Sequence, residues 1–501
     1  MILTFDIGTT AVKACLFDDR LAMLENATVE YELIAEKNLY VELEAETYWS
    51  GIRSCVGKLL AKVPEAARGI GGIGITTQGE TLIPVDETGK ALRRAIVWLD
   101  GRAVKESATI RAMFDEKTFY ARTGIPDCNG LCPVSKLLWI KNNEPELYAR
   151  TYKFLLLEDY VIMRLTGKFV SEKSLLSTAG YFDLVNDCVW EEMLSRIGVD
   201  KKKIPDALEC GTLVSRILPE VADELGLEGD IRIITGAMDQ TAGALGANNV
   251  APGILSETTG TALSIAVSCE HPDFSHASRL TIYRHVSKGR YLYIPICMTA
   301  GIVLKWFKDE FCADLASEAV AAGESVYDLM GRLAESTPLG ANGLVLIPYF
   351  TGVTQPDNNP AARGVFLGVG LDTKRRHFIR AIFESIAFML RENIELLESI
   401  TGVRIAEVRS LGGGSKSETW SRIKADITNR TISTMAESEC ASLGTAILVA
   451  VALGRFASVA GAAAASNRIR NSFLPAAENH PRYEKGYATY KKLYARVKDL
   501  F

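Results

Sequence analysis

The sequence predicts an α/β protein made of two related halves, and three observations carry that expectation. The chain opens with ILTFDI, GTT and AVKACLF, which reads as strand, tight turn and strand over residues 2–17, because apolar residues alternate on either side of a glycine-threonine turn. The same plan returns about half the chain later, in ILSETTGTALSIAV over residues 254–267. Between such units lie helical patterns such as FIRAIFESIAFMLRENIELLESI, residues 378–400, where Ile379, Ile382, Phe383, Ile386, Met389, Leu390 and Leu397 form one stripe able to pack on a sheet. Strands alternating with helices in both halves give the class.

The length of 501 residues exceeds one ordinary core and suits two large domains, with a boundary expected near residue 245 and any active site expected in the cleft between them. This gives an N-terminal domain over 1–245 and a C-terminal domain over 246–501. A net charge of −5 without a dense basic stretch lacks the electrostatic footprint of nucleic-acid binding, and Lys201, Lys202 and Lys203 read as a solvated loop or helix end. Ten scattered cysteines, with Cys128 and Cys132 the one close pair and no second pair or histidine beside them, suit reduced thiols in a cytoplasmic protein. The N-terminus shows no signal-peptide pattern, and the apolar stretch 443–453 is too short to span a bilayer and reads as a buried helix.

Two phosphate-loop patterns are excluded. Gly69, Gly71 and Gly74 satisfy GxGxxG but precede a strand instead of following one, and GGGSKS at residues 412–417 lacks the Gly-Lys of a P-loop. The Asp6-Ile7-Gly8-Thr9-Thr10 turn carries more. Glycine admits a ligand close to the backbone, turn amides can form an anion nest, and Thr9 and Thr10 add hydroxyl donors. Lys13 could neutralise phosphate charge, and Asp6, costly to bury alone, suits a magnesium ion held through its waters. Taken alone this is an ordinary Asp-Gly hairpin. Gly260 and Thr261 supply a second such turn, and Gly412, Gly413 and Gly414 a third close-approach site before a helical SETWSRIKADI.

On these residues the chain resembles the FGGY family of carbohydrate kinases, which includes xylulokinase, glycerol kinase and gluconokinase. The likeness runs from FDIGTTAVKACLFD through GAMDQTAGALGA to LGGGSKSETWSRIKADI, with PVSKLLWIKNN, at residues 133–143, similar to the family's N-terminal signature. The resemblance implies two ribonuclease-H-like (actin-like ATPase) domains flanking a central catalytic cleft, sugar held mainly by the first and ATP mainly by the second. It implies that Asp239 is the catalytic base, facing Mg2+ together with Asp6. Gln78, Gly79, Glu80, Trp98, Asp239 and Gln240 are then the substrate-binding residues. Gly8, Thr9, Thr10, Lys13, Gly260, Thr261, Gly412, Gly413, Gly414 and Lys416 would hold the nucleotide. A carboxylate within hydrogen-bond reach of a hydroxyl can take its proton as the bond to phosphorus forms, although an aspartate in a strand-to-helix turn is, by itself, usually a cap. Asp100 and Arg102 are expected to form a structural ion pair beside Trp98, itself equally a core residue or a sugar wall.

Glycerol kinases resemble the chain in Gln-x-Glu-Thr and in Asp239-Gln240, but carry arginine where Gly79 stands and an aromatic residue near Leu131. Xylulokinases resemble it in WLDGRA, in Ala242-Gly243 and in CMTAGIVLKWFKD, yet usually carry methionine and histidine where Gly79 and Glu80 stand. The expected substrate is a ketopentose such as D-xylulose, with glycerol or another polyol as alternative. A nucleotide switch of the actin or Hsp70 kind is the rival class. Homodimers are common in the family, and neither nucleic acid nor membrane is expected as a partner.

Overall fold

The computed structural model describes residues 1–277, 279–353 and 359–501. It divides into two compact units, the first comprising Met1–Val250, Thr281–Leu292 and Glu439–Asn467, and the second Ala251–Leu280, Tyr293–Ser438 and Arg468–Phe501. The chain thus returns twice to the first unit, which a single division at 245/246 does not describe.

In the first unit the opening hairpin forms as its pattern predicts. Ile2–Ile7 runs antiparallel to Ala11–Phe17, with Asp6 opposite Lys13. On its other side Ile2–Ile7 pairs in parallel with Gly72–Thr77, which pairs in parallel with Arg232–Met238. Leu213–Arg216 and Met23–Glu30 close the two ends of this six-stranded sheet. The period-two alternation of a strand decides where each side chain goes. Leu3, Phe5 and Ile7 join an apolar cluster with Trp49, Ile52 and Val56 of the helix Ala45–Lys62. Ile2, Cys15 and Phe17 join a second cluster with Leu443, Ile447 and Val449 of the helix Cys440–Ala452. Both faces are covered, so the strands read as nearly continuous apolar runs.

The second unit repeats this plan. Leu263–Cys269 pairs antiparallel with Ile254–Thr259, which is followed in parallel by Glu407–Leu411 and Thr431–Met435, and then antiparallel by Ile469–Phe473. That is the order of 11–17, 2–7, 72–77, 232–238 and 213–216 in the first unit. The duplication hinted at by two glycine-threonine hairpins therefore extends over the centre of both sheets. The helix Arg375–Thr401 buries the stripe that its periodicity predicts, Ile379, Ile382 and Ile386 among it.

The helix Cys440–Ala452 is apolar all round and buried, and among the described residues no helix is long and apolar enough to cross a membrane. Its seat explains several glycines. A Cβ on Gly72 would stand 2.8 Å from Val449 Cγ1, and one on Gly74 2.6 Å from Val449 Cγ2. A Cβ on Gly69 would meet the Met1 side chain at 2.0 Å. The formal GxGxxG of residues 69–74 is a packing pattern. Gly246 of the run TAGALGA and Gly444 of the facing helix have the same origin: a Cβ on Gly444 would lie 1.9 Å from the Ala242 carbonyl oxygen, and one on Gly246 1.9 Å from that of Cys440. Two glycines thereby set how closely the helix Asp239–Gly246 approaches Cys440–Ala452.

Candidate active site

The candidate residues of the first unit gather at the carboxyl ends of three adjacent strands. Asp6 lies near the end of Ile2–Ile7, Gln78, Gly79 and Glu80 follow Gly72–Thr77, and Asp239 follows Arg232–Met238. Open α/β sheets bind ligands at this edge.

The first turn is closed by Gly8 N–H donating to the Ala11 carbonyl at 3.0 Å, and the Tyr31 hydroxyl donates to the Gly8 carbonyl. A Cβ on Gly8 would meet nothing nearer than the Ala11 oxygen at 3.7 Å, so packing does not demand glycine there; the residue leaves the turn open to close approach. The turn is also tied to the segment after Gly72–Thr77. Trp98 Nε1 donates to Thr9 Oγ1 at 2.9 Å, and Thr81 Oγ1 accepts from Trp98 N and from Gln78 Nε2, each at 3.1 Å. Trp98 is thus a brace between two site segments, and the buried Gln78 turns its amide to Thr81. Gly79 is packed: a Cβ would sit 3.2 Å from Thr178 Oγ1.

Glu80 holds a left-handed backbone, φ 59°, and accepts from the Tyr283 hydroxyl at 3.3 Å. Its carbonyl is one of three gripped by the fully buried Lys136, whose Nζ donates to Glu80 O at 3.1 Å, Val97 O at 2.9 Å and Trp98 O at 3.3 Å. An ammonium has three N–H bonds, and all three are used on the main chain. Burial pulls Lys136 down to about 8, against the charges of Glu80 and Asp100. Sequence reasoning assigned no role to Lys136 or Tyr283. The signal for Lys136 was present, a lone cation in the apolar run PVSKLLWI; Tyr283 offered none. Asp100 and Arg102 form the expected ion pair, with Arg102 Nε and Nη2 on the two carboxylate oxygens at 2.8 and 2.6 Å, and Arg102 also reaches Glu42.

Three carboxyls dominate the electrostatics of this edge. Asp6, Glu80 and Asp239 are half-buried residues whose carboxyl groups are nevertheless extensively desolvated. Burial raises Asp239 to about 7, helped by the charges of Asp6 and Glu80 and opposed by its bond from Gln240 N–H at 2.6 Å. Asp6 is raised to about 6 by burial, with Lys13 opposing and Glu439 adding to the shift. Glu80 is raised by burial, with Lys136 and Tyr283 opposing. Lys13 is paired with Glu439, which precedes the returning helix; burial lowers Lys13, but the bond to Glu439 and nearby negative charge leave it raised overall.

In the second unit the corresponding strand ends carry the other glycines. Gly260 follows Ile254–Thr259, and its carbonyl accepts from Gly301 N–H at 2.8 Å, where a Cβ on Gly301 would stand 2.4 Å from that oxygen. The start of the helix Gly301–Phe311 is therefore seated on this turn. Beneath it a buried cation is fixed: Lys424 Nζ donates to Glu257 Oε1 at 2.6 Å and Thr259 Oγ1 at 2.8 Å, and Thr259 donates to Glu257 Oε2 at 2.6 Å. The three glycines after Glu407–Leu411 differ in kind. Gly412 has φ 73°, and a Cβ on Gly414 would stand 2.7 Å from Thr259 Cβ, so both serve the fit of this turn on the neighbouring strand. Gly413 is exposed, with nothing within 4 Å of a Cβ, and Lys416 and Thr261 are also exposed. Gly260 likewise has nothing within 4 Å of a Cβ. Among the described residues no group of three or more His, Cys, Asp or Glu side chains is arranged to enclose a metal ion.

Comparison with known proteins agrees with this architecture. Residues 1–246 match the N-terminal domain of the FGGY family of carbohydrate kinases, and residues 255–453 match its C-terminal domain. Over 500 residues the chain is 29% identical to a xylulose kinase of Bacillus subtilis (strain 168), covering 100% of this chain and 97% of that protein. It is 27% identical over 455 residues to a gluconokinase of the same organism, covering 91% and 88%. The crystal structure of xylulose kinase from Rhodospirillum rubrum matches with a TM-score of 0.88 at 26% identity, covering 99% of each chain. The duplicated sheets are those of the actin-like ATPase fold, and the chain belongs to the FGGY family of carbohydrate kinases.

Proposed function

We propose that this kinase transfers the γ-phosphoryl group of ATP to a hydroxyl of an uncharged ketopentose such as D-xylulose, with Asp239 as general base. The observation that carries this is the Asp239 carboxyl, reachable at a strand end yet desolvated enough for its pKa to rise to about 7. A base poised near the working pH combines the right protonation state with the greatest proton affinity. Asp239 takes the proton of the attacking hydroxyl as the oxygen–phosphorus bond forms, and the bond from the γ-phosphorus to the bridging oxygen breaks to release ADP.

The first unit binds the sugar through Gly79, Glu80 and Gln240, with Gln78 and Trp98 supporting that edge. Gly8, Thr9, Thr10 and Lys13 are assigned to phosphate binding in the first unit, and Gly260, Thr261, Gly412, Gly413, Gly414 and Lys416 to nucleotide binding in the second. Asp6 and Asp239 offer the hard oxygen donors that suit Mg2+, which would neutralise phosphate charge when bound. The raised pKa of both carboxyls fits such a role, because a nearby cation would relieve the cost of their ionisation.

Electrostatics favours a neutral sugar over an aldonate. In the first unit Lys13 is ion-paired with Glu439 and Lys136 is saturated by carbonyls, while a carboxylate substrate would face the carboxyls of Asp6, Glu80 and Asp239. Like charges at such a site repel by about 4 kcal/mol at 4 Å separation and an effective dielectric of 20. Glycerol is the second reading, favoured by the Gln78-Gly79-Glu80-Thr81 pattern, but Gly79 stands where glycerol kinases carry arginine, and a Cβ there would crowd Thr178 Oγ1 at 3.2 Å. A coupled ADP-release assay over D-xylulose, other ketoses, glycerol, further polyols and gluconate tests this. The highest kcat/KM should fall on a ketopentose and the lowest on gluconate; a preference for gluconate or glycerol would reject the substrate reading.

A further inference from the structure

We propose that a one-residue bulge in the strand Arg232–Met238 aims Asp239, and that Glu158 and Ser174, outside the substrate site, hold that bulge in place as positioning residues. This rests on Asp239 being the base. Arg232, Ile233 and Ile234 pair in parallel with Gly72, Ile73 and Gly74, but the next partners are Ala237 with Thr76 and Met238 with Thr77. Three steps on one strand are matched by two on the other, so one extra residue is inserted. Side chains alternate along a strand, and an insertion of one residue exchanges the faces of everything after it. The direction taken by Ala237, Met238 and Asp239 is therefore set at Thr235 and Gly236.

The bulge is built for this sequence. A Cβ on Gly236 would stand 1.6 Å from the Ile75 carbonyl oxygen, so only glycine fits. The edge strand Leu213–Arg216 has its last ladder partner at Ile234, Thr235 still exchanges backbone bonds with Gly211 and Thr212, and from Gly236 onward side chains take over. Glu158, fully buried at the start of the helix Leu157–Thr166, accepts from Gly236 N–H through Oε1 at 2.9 Å. Ser174 Oγ accepts from Met238 N–H at 3.0 Å, one residue before the base. Ser174 is itself fixed, because its hydroxyl donates to Glu172 Oε1 at 2.8 Å and Glu172 also takes the Ser174 and Leu175 amides of the short helix Lys173–Leu176. Thr76 Oγ1 donates to the Ala237 carbonyl at 2.7 Å from the other side. Glu158 Oε2 makes no hydrogen bond among the described residues, so Oε1 is the one acceptor this position supplies to the bulge, and burial beside Glu172 disfavours the charged form of the carboxyl. Glutamine can take that place.

The test is steady-state kinetics of Glu158→Leu, Glu158→Gln and Ser174→Ala with the best acceptor of the substrate panel and ATP, each variant checked by circular-dichroism melting. Glu158→Leu and Ser174→Ala should lower kcat by about tenfold to a hundredfold, with both KM values within about twofold of the parent. Glu158→Gln should restore kcat to within about threefold. Folded Ser174→Ala with parental kcat overturns the proposal whether or not Glu158→Leu folds, as does a Glu158→Gln defect equal to that of leucine. Asp239→Asn is run alongside: if it retains kcat, the base assignment is rejected instead, and the two failures are distinguished.

Discussion

As the proposed base, Asp239 needs a carboxyl sufficiently desolvated to want a proton, and its burial meets that demand at a cost to stability. With its carboxyl raised to about 7, Asp239 acting as the base should make kcat/KM fall about tenfold per pH unit below that value, and the limb should move to lower pH when magnesium concentration is raised. The stability effect has the opposite direction. A carboxyl whose folded pKa lies near 7, against about 3.9 unfolded, binds its proton more tightly in the folded state. Its stabilising contribution is complete below about pH 4 and is lost as pH rises through about 7. Asp239→Asn should therefore abolish transfer, leave sugar binding largely intact, and raise Tm relative to the parent more at pH 8 than at pH 4. Near-parental turnover, or a Tm difference that does not grow with pH, would count against it. At this scale the sequence drew attention to Asp6, Glu80 and Asp239, each of which has an ordinary structural reading by its local pattern alone and stands out only beside the other turns and the family resemblance. It marked Lys136 only as a lone cation in an apolar run and gave no sign of Tyr283 or Glu439, because the meaning of all three lies in partners brought together across 56, 203 and 426 positions.

Turns and helices carry a different kind of constraint, in which one atom too many is the danger. The glycine pair at the crossing of Asp239–Gly246 with Cys440–Ala452 leaves backbone against backbone, so the helix bearing Asp239 is located by contact distance and not by side-chain fit. Gly444→Ala should destabilise the protein by about 1–3 kcal/mol, read as a lower urea midpoint at unchanged slope, because neither helix can yield without shifting the sheet beneath. A Gly444→Ala variant with the parental midpoint would show that the crossing is slack. The two glycine-threonine hairpins were legible because a hairpin is local: apolar alternation and turn residues lie within one short segment. The purpose of Gly72, Gly74, Gly236 and Gly444 was not, since each is small on account of a neighbour that the local pattern does not contain.

The molecule as a whole is a duplication whose chain does not stay on its own side. Nothing within ASLGTAILVAVAL says which of two similar sheets it will cover; apolarity on every face says only that it will be buried. Its place in the first unit makes that unit dependent on residues 439–467. Leu443, Ile447, Leu448 and Val449 are each nearly or completely buried, and at about 1.5–3 kcal/mol apiece their loss removes about 6–12 kcal/mol. A typical domain has a net stability of about 5–15 kcal/mol. A fragment of residues 1–250 should therefore lack a cooperative thermal transition and bind a hydrophobic dye, while adding a peptide of residues 439–467 in trans should restore the transition and reduce the dye signal. A sharp melt of the fragment alone would mean that the first sheet is stable without the returning helix, and that the glycines facing Val449 answer to some other constraint.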